Sequence, residues 1–234
     1  MSRRLIMLRH GQTTHNATRR MQGHLDTSLS EQGWEGARQV AECLRGAGIS
    51  RIVSSDLSRA ADTAGVVADL IGVDLQIDAR LRETDLGQWQ DLGHAEVDEK
   101  FPGARAAWRH DAQWAPPGGE SRIDVALRAR PVIDELMESY SGWEGSTVLL
   151  VAHGGTISAL TGSLLKFSPG MYPMLSTLNN THFAVLTARP TYTPGSSDAL
   201  DDPRFESSAA RFAPGAPVEA QWYLDGWNLG AVEL

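Results

Sequence analysis

Two apolar runs of the sequence each end in residues that could do chemistry. Residues 4–8 are followed at once by Arg9 and His10, and residues 147–152 are followed by His153. Open α/β sheets bind ligands beyond the carboxyl ends of their strands. A cation and two imidazoles at that edge therefore predict a site that binds an anion and attacks it.

Together with Arg59 and Glu83, these residues could carry out phosphoryl transfer. Neutral histidine is a good nucleophile near pH 7. We expect the arginines to hold the phosphoryl oxygens and to lower the pKa of His10, and a glutamate near the leaving oxygen can act as general acid. Because phosphoryl transfer depends mainly on positioning and charge stabilisation, the cluster is expected to need no metal and no cofactor.

Taken singly, each of these residues has an ordinary structural alternative. His10 could be a hydrogen-bonded structural residue, Arg59 a solvated helix arginine and Glu83 a surface carboxylate in a weak salt bridge. Asn16 could cap a helix. Residues 153–155 could form only a strand-to-helix turn, although the N–H groups exposed at a helix start favour an anion.

Other conspicuous residues are assigned to structure. Trp89, Trp108 and Trp114 are expected to pack rather than to contact a ligand. Cys43 is the only cysteine, which excludes an intrachain disulfide, and we expect it to be a small buried hydrophobe. The remaining histidines show no metal-ligand spacing and are taken as ordinary: His15, His24, His94, His110 and His182.

The elements that would position the candidate residues alternate along the chain. Strands are predicted at residues 4–8, 52–53, 73–77, 148–152, 183–186 and 220–224. Helices are predicted at residues 30–46 with Ser30 as N-cap, from Ser55 or Asp56 to 71, at 120–140 and from 153 to 165. This alternation favours a three-layer α/β/α sandwich with a mostly parallel central sheet.

One domain is predicted for residues 1–234, with two elaborations. Residues 84–119 combine three tryptophans with scattered Gly and Pro and predict a cap over the strand ends, with short helices near 94–100 and 105–108. Residues 189–217 contain five prolines and are longer than an ordinary connection. We interpret them as a partly mobile loop.

Composition narrows the class of protein further. A formal net charge of −8 argues against nucleic acid or an anionic membrane as partner. The apolar run at the start is too short for a signal peptide, and none reaches membrane-spanning length, so a cytoplasmic protein is predicted. The apolar residues 222–224 and Trp227 make a homodimer plausible, unless they fill the core of the chain itself.

Four segments, in order, resemble the motifs of the histidine phosphatase superfamily, also called the phosphoglycerate mutase-like family. Residues 8–13 (LRHGQT) with Asn16 resemble its signature. The other three segments are residues 53–64 (VSSDLSRAADTA), 81–89 (LRETDLGQW) and 151–155 (VAHGG). The resemblance covers nearly the whole chain and implies the phosphoglycerate mutase-like fold.

The resemblance also implies a role for each candidate residue. His10 would become phosphohistidine, and Glu83 would protonate the leaving alkoxide and then activate water. Gln22 lies where the family often contacts substrate. The phosphate pocket would comprise Arg9, Asn16, Arg59, His153 and Gly154.

The segment after Glu83 bears on the branch of the family. Cofactor-dependent phosphoglycerate mutases carry paired arginines there, and residues 84–120 have no Arg-Arg pair. Residues 87–90 (GQWQ) and 118–122 (GGESR) resemble glucosyl-3-phosphoglycerate phosphatases, although Asp91 stands where many relatives have glycine. This implies hydrolysis of a small phosphorylated sugar acid to glucosylglycerate. A broad phosphatase, a mutase and a non-catalytic regulatory module on the same fold remain the alternatives.

Overall fold

The computed structural model describes residues 2–191, 212 and 220–231. Its strands are β1 (Arg3–Arg9), β2 (Ile49–Ser54), β3 (Leu75–Ile77), β4 (Thr147–Ala152), β5 (Phe183–Pro190) and β6 (Ala220–Leu229). They form one sheet in the order β3-β2-β4-β1-β5-β6. The first four of these neighbours pair in parallel, whereas β5 runs antiparallel to both β1 and β6. The prediction of a mostly parallel sheet is confirmed.

Helices cover both faces of this sheet. They are α1 (Thr14–Ala17), α2 (Glu31–Leu44), α3 (Ser58–Ile71), α4 (His94–Lys100), α5 (Ala104–His110), α6 (Arg122–Ser139) and α7 (Gly154–Leu164). The core on one face contains residues of α2 and α3, and the core on the other contains residues of α6 and α7. This is the predicted α/β/α sandwich. No helix in the part of the chain that the structure describes is long and apolar enough to cross a bilayer.

The strands that carry the candidate histidines are the most deeply buried. In β1, Leu5 and Met7 enter one core while Ile6 and Leu8 enter the other. Every residue of β4 is buried, as is typical of a strand in the middle of a parallel sheet. The two histidines are therefore attached to rigid supports.

Helix starts show where sequence reasoning worked and where it did not. Ser30 caps α2 as predicted, since its side chain accepts a hydrogen bond from the backbone N–H of Gly33. The predicted cap of α3 by Ser55 or Asp56 is wrong: the helix begins at Ser58 and has no side-chain cap. The Asp56 carboxylate is instead paired with an arginine, and the Ser55 hydroxyl contacts a histidine.

The apolar residues near the end of the chain pack within the described fold. Trp222 lies in the core, and Leu224 and Trp227 pack against it, which is the alternative to a dimer contact.

Cys43 is only partly buried at the edge of the core, not fully buried as expected, and burial raises the pKa of its thiol. Most of the loop predicted at residues 189–217 lies outside the described residues.

The predicted cap has a small core of its own. Helices α4 and α5 lie within residues 84–119, close to their predicted positions. Trp89 is fully buried, with its ring centroid 5.8 Å from that of Trp108 and 5.5 Å from that of Trp114, so the packing role expected for these tryptophans is confirmed. Met21 belongs to the same core and accepts a hydrogen bond from Asp91, which joins the cap to the loop after α1.

Candidate active site

The sheet brings the two histidines together. Strands β1 and β4 are parallel neighbours in which Arg9 lies opposite Ala152, so both carboxyl ends reach the same edge. The backbone N–H of His10 donates to the carbonyl of Ala152 at 3.0 Å. The ring centroids of His10 and His153 lie 5.1 Å apart. The juxtaposition expected from the two apolar runs is present.

His10 is held as a neutral base with a defined tautomer. Its Nδ1 lies 2.7 Å from the carbonyl of Gly11, and because a carbonyl only accepts, Nδ1 carries the proton and Nε2 keeps its lone pair. Burial and the charges of Arg9 and Arg59 hold the pKa of His10 well below its ordinary value. The Gly11 N–H donates to the Thr63 hydroxyl, which donates to the Arg59 carbonyl, so the loop is fixed.

Two arginines lie beside His10, of which Arg59 is fully buried and Arg9 half-buried, and both donate to backbone carbonyl oxygens. Arg59 donates through Nη1 to Leu25 at 2.7 Å and through Nη2 to Gly23 at 2.9 Å. Arg9 donates through Nη1 to Leu178. Burial lowers the pKa of Arg59 to about 10, so this guanidinium remains charged at neutral pH. Both cations are therefore positioned before any ligand arrives.

His153 completes this group at the N-cap of α7. It is fully buried, and its Nε2 lies 2.9 Å from Ser55 Oγ. Burial, followed by the charges of Arg59, His10 and Arg9, holds its pKa well below the ordinary value. Its Nδ1, and the Nε atoms of Arg9 and Arg59, are buried without hydrogen-bond partners in the described part of the chain. These nitrogens are suited to donate to phosphoryl oxygens.

Glu83 lies on the loop after β3, and its carboxylate contacts the N-terminus of α7. Its carboxylate accepts hydrogen bonds from the backbone N–H groups of Thr84 at 2.8 Å and of Gly155 and Thr156 at 3.2 Å each. The ring of His24 donates through Nε2 to the carbonyl of Glu83 at 2.7 Å. Both ends of the residue are thus fixed, which is what a proton donor of defined geometry requires.

Sequence reasoning missed Arg128, which supports the loop of Glu83. From α6 its guanidinium donates to the carbonyls of Arg80, Arg82 and Glu83 at 2.7 to 2.9 Å. It also pairs with Glu120 at 2.8 Å. No motif marks Arg128 in the sequence, because its partners are backbone atoms of a distant loop. His24, taken as ordinary, was missed for the same reason.

The site opens into a cavity of about 330 Å³. Six predicted site residues line it: Arg9, His10, Asn16, Gln22, Arg59 and Glu83. Among the glycines of the last motif the lining residue is Gly155, not the predicted Gly154, and His153 does not line the cavity although its ring contacts His10.

Asn16 combines the two roles that sequence reasoning offered as alternatives. It closes the capping box of α1 with Thr13, and it lines the cavity. Its side-chain oxygen accepts from the backbone N–H of Thr13 and from the amide of Asn180. The Gln22 oxygen accepts from the hydroxyl of Thr27. The oxygens are thus occupied, and the amide nitrogens are the groups left for a ligand.

The remaining wall of the cavity comes largely from the loop after α1 and from the cap. It includes Arg19, Arg20, Met21, Leu86, His94, Trp108 and Thr177. Trp108 and His94, both assigned to structure on sequence grounds, therefore also face the cavity. The guanidinium of Arg20 pairs with Glu96 at 3.3 Å, whereas the guanidinium of Arg19 has no side-chain hydrogen bond or ion pair among the described residues. This part of the cavity is cationic and partly aromatic.

Comparison with known proteins agrees with this geometry. The family model described as histidine phosphatase superfamily (branch 1) matches residues 5–193. The glucosyl-3-phosphoglycerate phosphatase of Mycobacterium tuberculosis is 46% identical over 236 residues, with 98% of this chain and 96% of that protein covered. The protein of the same description from Mycolicibacterium vanbaalenii is 47% identical over 233 residues, with the same coverage.

A solved structure shows the same similarity in three dimensions. It is the mycobacterial glucosyl-3-phosphoglycerate phosphatase in complex with VO3, and it is 45% identical to this chain with a TM-score of 0.82. The match covers 97% of this chain and 98% of the solved one. Similarity therefore extends over sheet, cap and site together.

Proposed function

The chain belongs to the histidine phosphatase superfamily, and we propose that it hydrolyses a small phosphomonoester through a phosphohistidine formed on His10. The observation that carries this proposal is the environment of His10. Its Nε2 keeps a lone pair, its ring is held neutral, and two anchored arginines lie beside it in a cavity that Glu83 also lines. No other group of described residues combines a nucleophile, anion-binding cations and a proton donor.

In the first step, the His10 Nε2 lone pair forms a bond to phosphorus while the bond from phosphorus to the leaving oxygen breaks. Glu83 gives its proton to that oxygen. Arg9, Arg59 and His153 donate hydrogen bonds to the phosphoryl oxygens, whose charge they stabilise in the transition state. The alcohol then leaves with the proton.

In the second step, water attacks the phosphorus of phosphohistidine. Glu83, now a carboxylate, accepts a proton from this water as the new oxygen–phosphorus bond forms. The nitrogen–phosphorus bond breaks and returns its electron pair to His10. Inorganic phosphate leaves, and the enzyme is restored with Glu83 protonated and ready for the next substrate.

For the substrate we propose glucosyl-3-phosphoglycerate, which would be hydrolysed to glucosylglycerate. The names of the similar proteins support this choice, and so does the wall formed by Arg19, Arg20 and Trp108. An arginine that lacks an ion pair suits a carboxylate, and an indole ring offers an apolar surface for a sugar. A cavity of about 330 Å³ is within the range of small-molecule sites.

The test is phosphate release from a panel of substrates in the presence of EDTA. The panel contains glucosyl-3-phosphoglycerate, 3-phosphoglycerate, other sugar phosphates and an aryl phosphate, with His10→Ala protein as the blank for contaminating phosphatases. A clear preference for glucosyl-3-phosphoglycerate supports the proposal. Even activity across the panel contradicts the substrate assignment. Conversion of 3-phosphoglycerate to its 2-isomer without phosphate release would show a mutase.

We further propose a cytoplasmic homodimer. The cytoplasmic location is supported by the small charged substrate proposed above and by the acidic composition of the chain. The dimer is supported by the position of β6 at the edge of the sheet, where Tyr223 is exposed. Light scattering of the purified protein tests the assembly, and a monomeric mass would contradict it.

A further inference from the structure

Ser55 is a buried residue that the mechanism above does not use. It follows β2, and both it and His153 are fully shielded from solvent. Its hydroxyl oxygen lies 2.9 Å from Nε2 of His153. Among the described residues this is the only hydrogen bond of the His153 ring, because its Nδ1 has no partner there.

The direction of this hydrogen bond follows from the other contact of the hydroxyl. Ser55 Oγ accepts from the backbone N–H of Leu57 at 3.3 Å. A hydroxyl has one proton to donate, and His153 Nε2 is the acceptor within reach. If Nε2 were protonated instead, the serine proton and the Nδ1 lone pair would both be buried without a partner, at about 1–3 kcal/mol each. Donation by Ser55 leaves only the Nδ1–H group unpaired.

We propose that Ser55 is a positioning residue that fixes His153 in the tautomer with its proton on Nδ1, so that the ring presents a donor to the phosphoryl group. The Nδ1 atom is buried without a partner among the described residues, and the ring centroid lies 5.1 Å from that of His10, which carries the nucleophilic nitrogen. The inference rests on the proposed function, because it assigns the Nδ1–H group to the phosphoryl oxygens.

The charges around His153 explain why a serine is needed. Arg59 on α3, Arg9 and His10 at the end of β1 and Arg128 on α6 all disfavour protonation of this ring, and burial adds to them, so its pKa lies well below the ordinary value. The ring therefore cannot gain a proton on Nδ1 by becoming an imidazolium at neutral pH. In the other neutral tautomer Nδ1 would turn a lone pair towards an oxyanion.

The direct test is the tautomer of His153 in the intact protein. Nitrogen-15 NMR of histidine-labelled protein at neutral pH distinguishes protonated from unprotonated ring nitrogens, and a His153→Gln variant assigns the signals. We expect a protonated Nδ1 and an unprotonated Nε2. A protonated Nε2, or an imidazolium, overturns the inference. The result does not depend on activity, so it stands apart from the substrate panel.

Variants at Ser55 and its neighbour test the consequence for catalysis. Ser55→Ala is expected to shift the tautomer of His153 and to lower kcat by ~10²-fold, the effect of losing one oxyanion donor. Alkyl and aryl phosphates should suffer equally, because the lost donor acts on the phosphoryl group. An unchanged kcat, or an unchanged tautomer, contradicts the proposal.

Ser54→Ala is the matched control. Ser54 is equally buried, but its hydroxyl donates to the carbonyl of Ser55 at 2.9 Å and not to His153. We expect the NMR signals of His153 to be unchanged and kcat to stay close to that of the original protein. A control variant that loses activity as Ser55→Ala does would show that any lost hydroxyl at this strand end is damaging. If the unaltered protein releases no phosphate from any substrate, the proposed function fails while the NMR result still decides the tautomer.

Discussion

Replacing Gly155 with alanine is expected to disable the leaving-group acid while leaving the phosphate pocket in place. A Cβ atom built on Gly155 would lie 2.5 Å from Glu83 Oε1 and 2.6 Å from Thr84 Oγ1. These separations are far shorter than a van der Waals contact, so the carboxylate must move. Movement would break its hydrogen bonds to the backbone N–H groups of Gly155 and Thr156.

The magnitude follows from the work that a positioned general acid does. Such a group contributes roughly 10²–10⁴-fold, which is about 3–5 kcal/mol of transition-state stabilisation at 1.36 kcal/mol per tenfold. We expect kcat/KM for an alkyl phosphate to fall by an amount in that range. An aryl phosphate, whose leaving group needs little protonation, should lose less than ~10-fold.

Loss of folding would not explain this pattern. Gly155 lies in the first turn of α7 and is not among the residues with positive φ, and in a helix alanine is favoured over glycine by about 1 kcal/mol. The melting temperature of Gly155→Ala should therefore stay close to that of the original protein, and thermal unfolding followed by circular dichroism checks it.

The adjacent residue supplies the control. A Cβ atom on Gly154 would meet Arg9 Nε at 3.6 Å, which is ordinary contact. Gly154→Ala should therefore retain activity towards both substrates. The assay compares kcat/KM for the alkyl and aryl phosphates in the original protein, in Gly155→Ala and in Gly154→Ala. An equal loss on both substrates in Gly155→Ala, or full alkyl activity, would refute the placement of Glu83 as the acid.

Three further outcomes are expected. His10→Ala should abolish phosphate release with little change in the melting temperature, because its ring faces a cavity; residual turnover above ~10⁻³ of the original would argue against a nucleophile there. Glu83→Gln should slow alkyl phosphates far more than aryl phosphates, and kcat/KM for both classes decides this. The third outcome concerns pH: since the folded-state pKa values of His10 and His153 are depressed, the unfolded chain binds more protons than the folded one below pH 6.5. The free energy of unfolding should therefore fall with decreasing pH by up to about 1.4 kcal/mol per unit for each histidine, while His10 stays neutral and active. Urea unfolding between pH 7 and pH 5 checks the slope, which should be shallower in His10→Ala.

Strand ends were the most predictable part of the site. Arg9, His10 and His153 could be brought together from sequence because buried parallel strands deliver their carboxyl ends to one edge. Asn16 was found through its place in the signature motif, and Gln22 because it lies where the resembled family often contacts substrate. What could not be predicted was the network behind them, since Arg128 and His24 act through backbone carbonyls of residues far away in the sequence.

Some local features show why pattern reasoning fails at particular residues. Ser55 has the composition of a helix cap, yet its hydroxyl contacts His153, and α3 starts three residues later. Asp91 adopts a φ of 63°. Glycine takes this left-handed conformation most readily, and the carboxylate of Asp91 lies 3.2 Å from His15. Both side chains are used in ways that only tertiary contacts reveal.

The anchoring of the two arginines links catalysis to the stability of the fold. Arg59 binds carbonyls of the loop after α1, and Arg9 binds the carbonyl of Leu178 just before β5, so the two cations join segments that are remote in the sequence. An anion bound between them binds the folded chain alone, and at 100 times its Kd it would add about 2.7 kcal/mol to the free energy of unfolding. Inorganic phosphate, the product of the proposed reaction, would then be both a competitive inhibitor and a stabilising ligand. The lifetime of the enzyme would rise with the phosphate level around it, while its turnover falls.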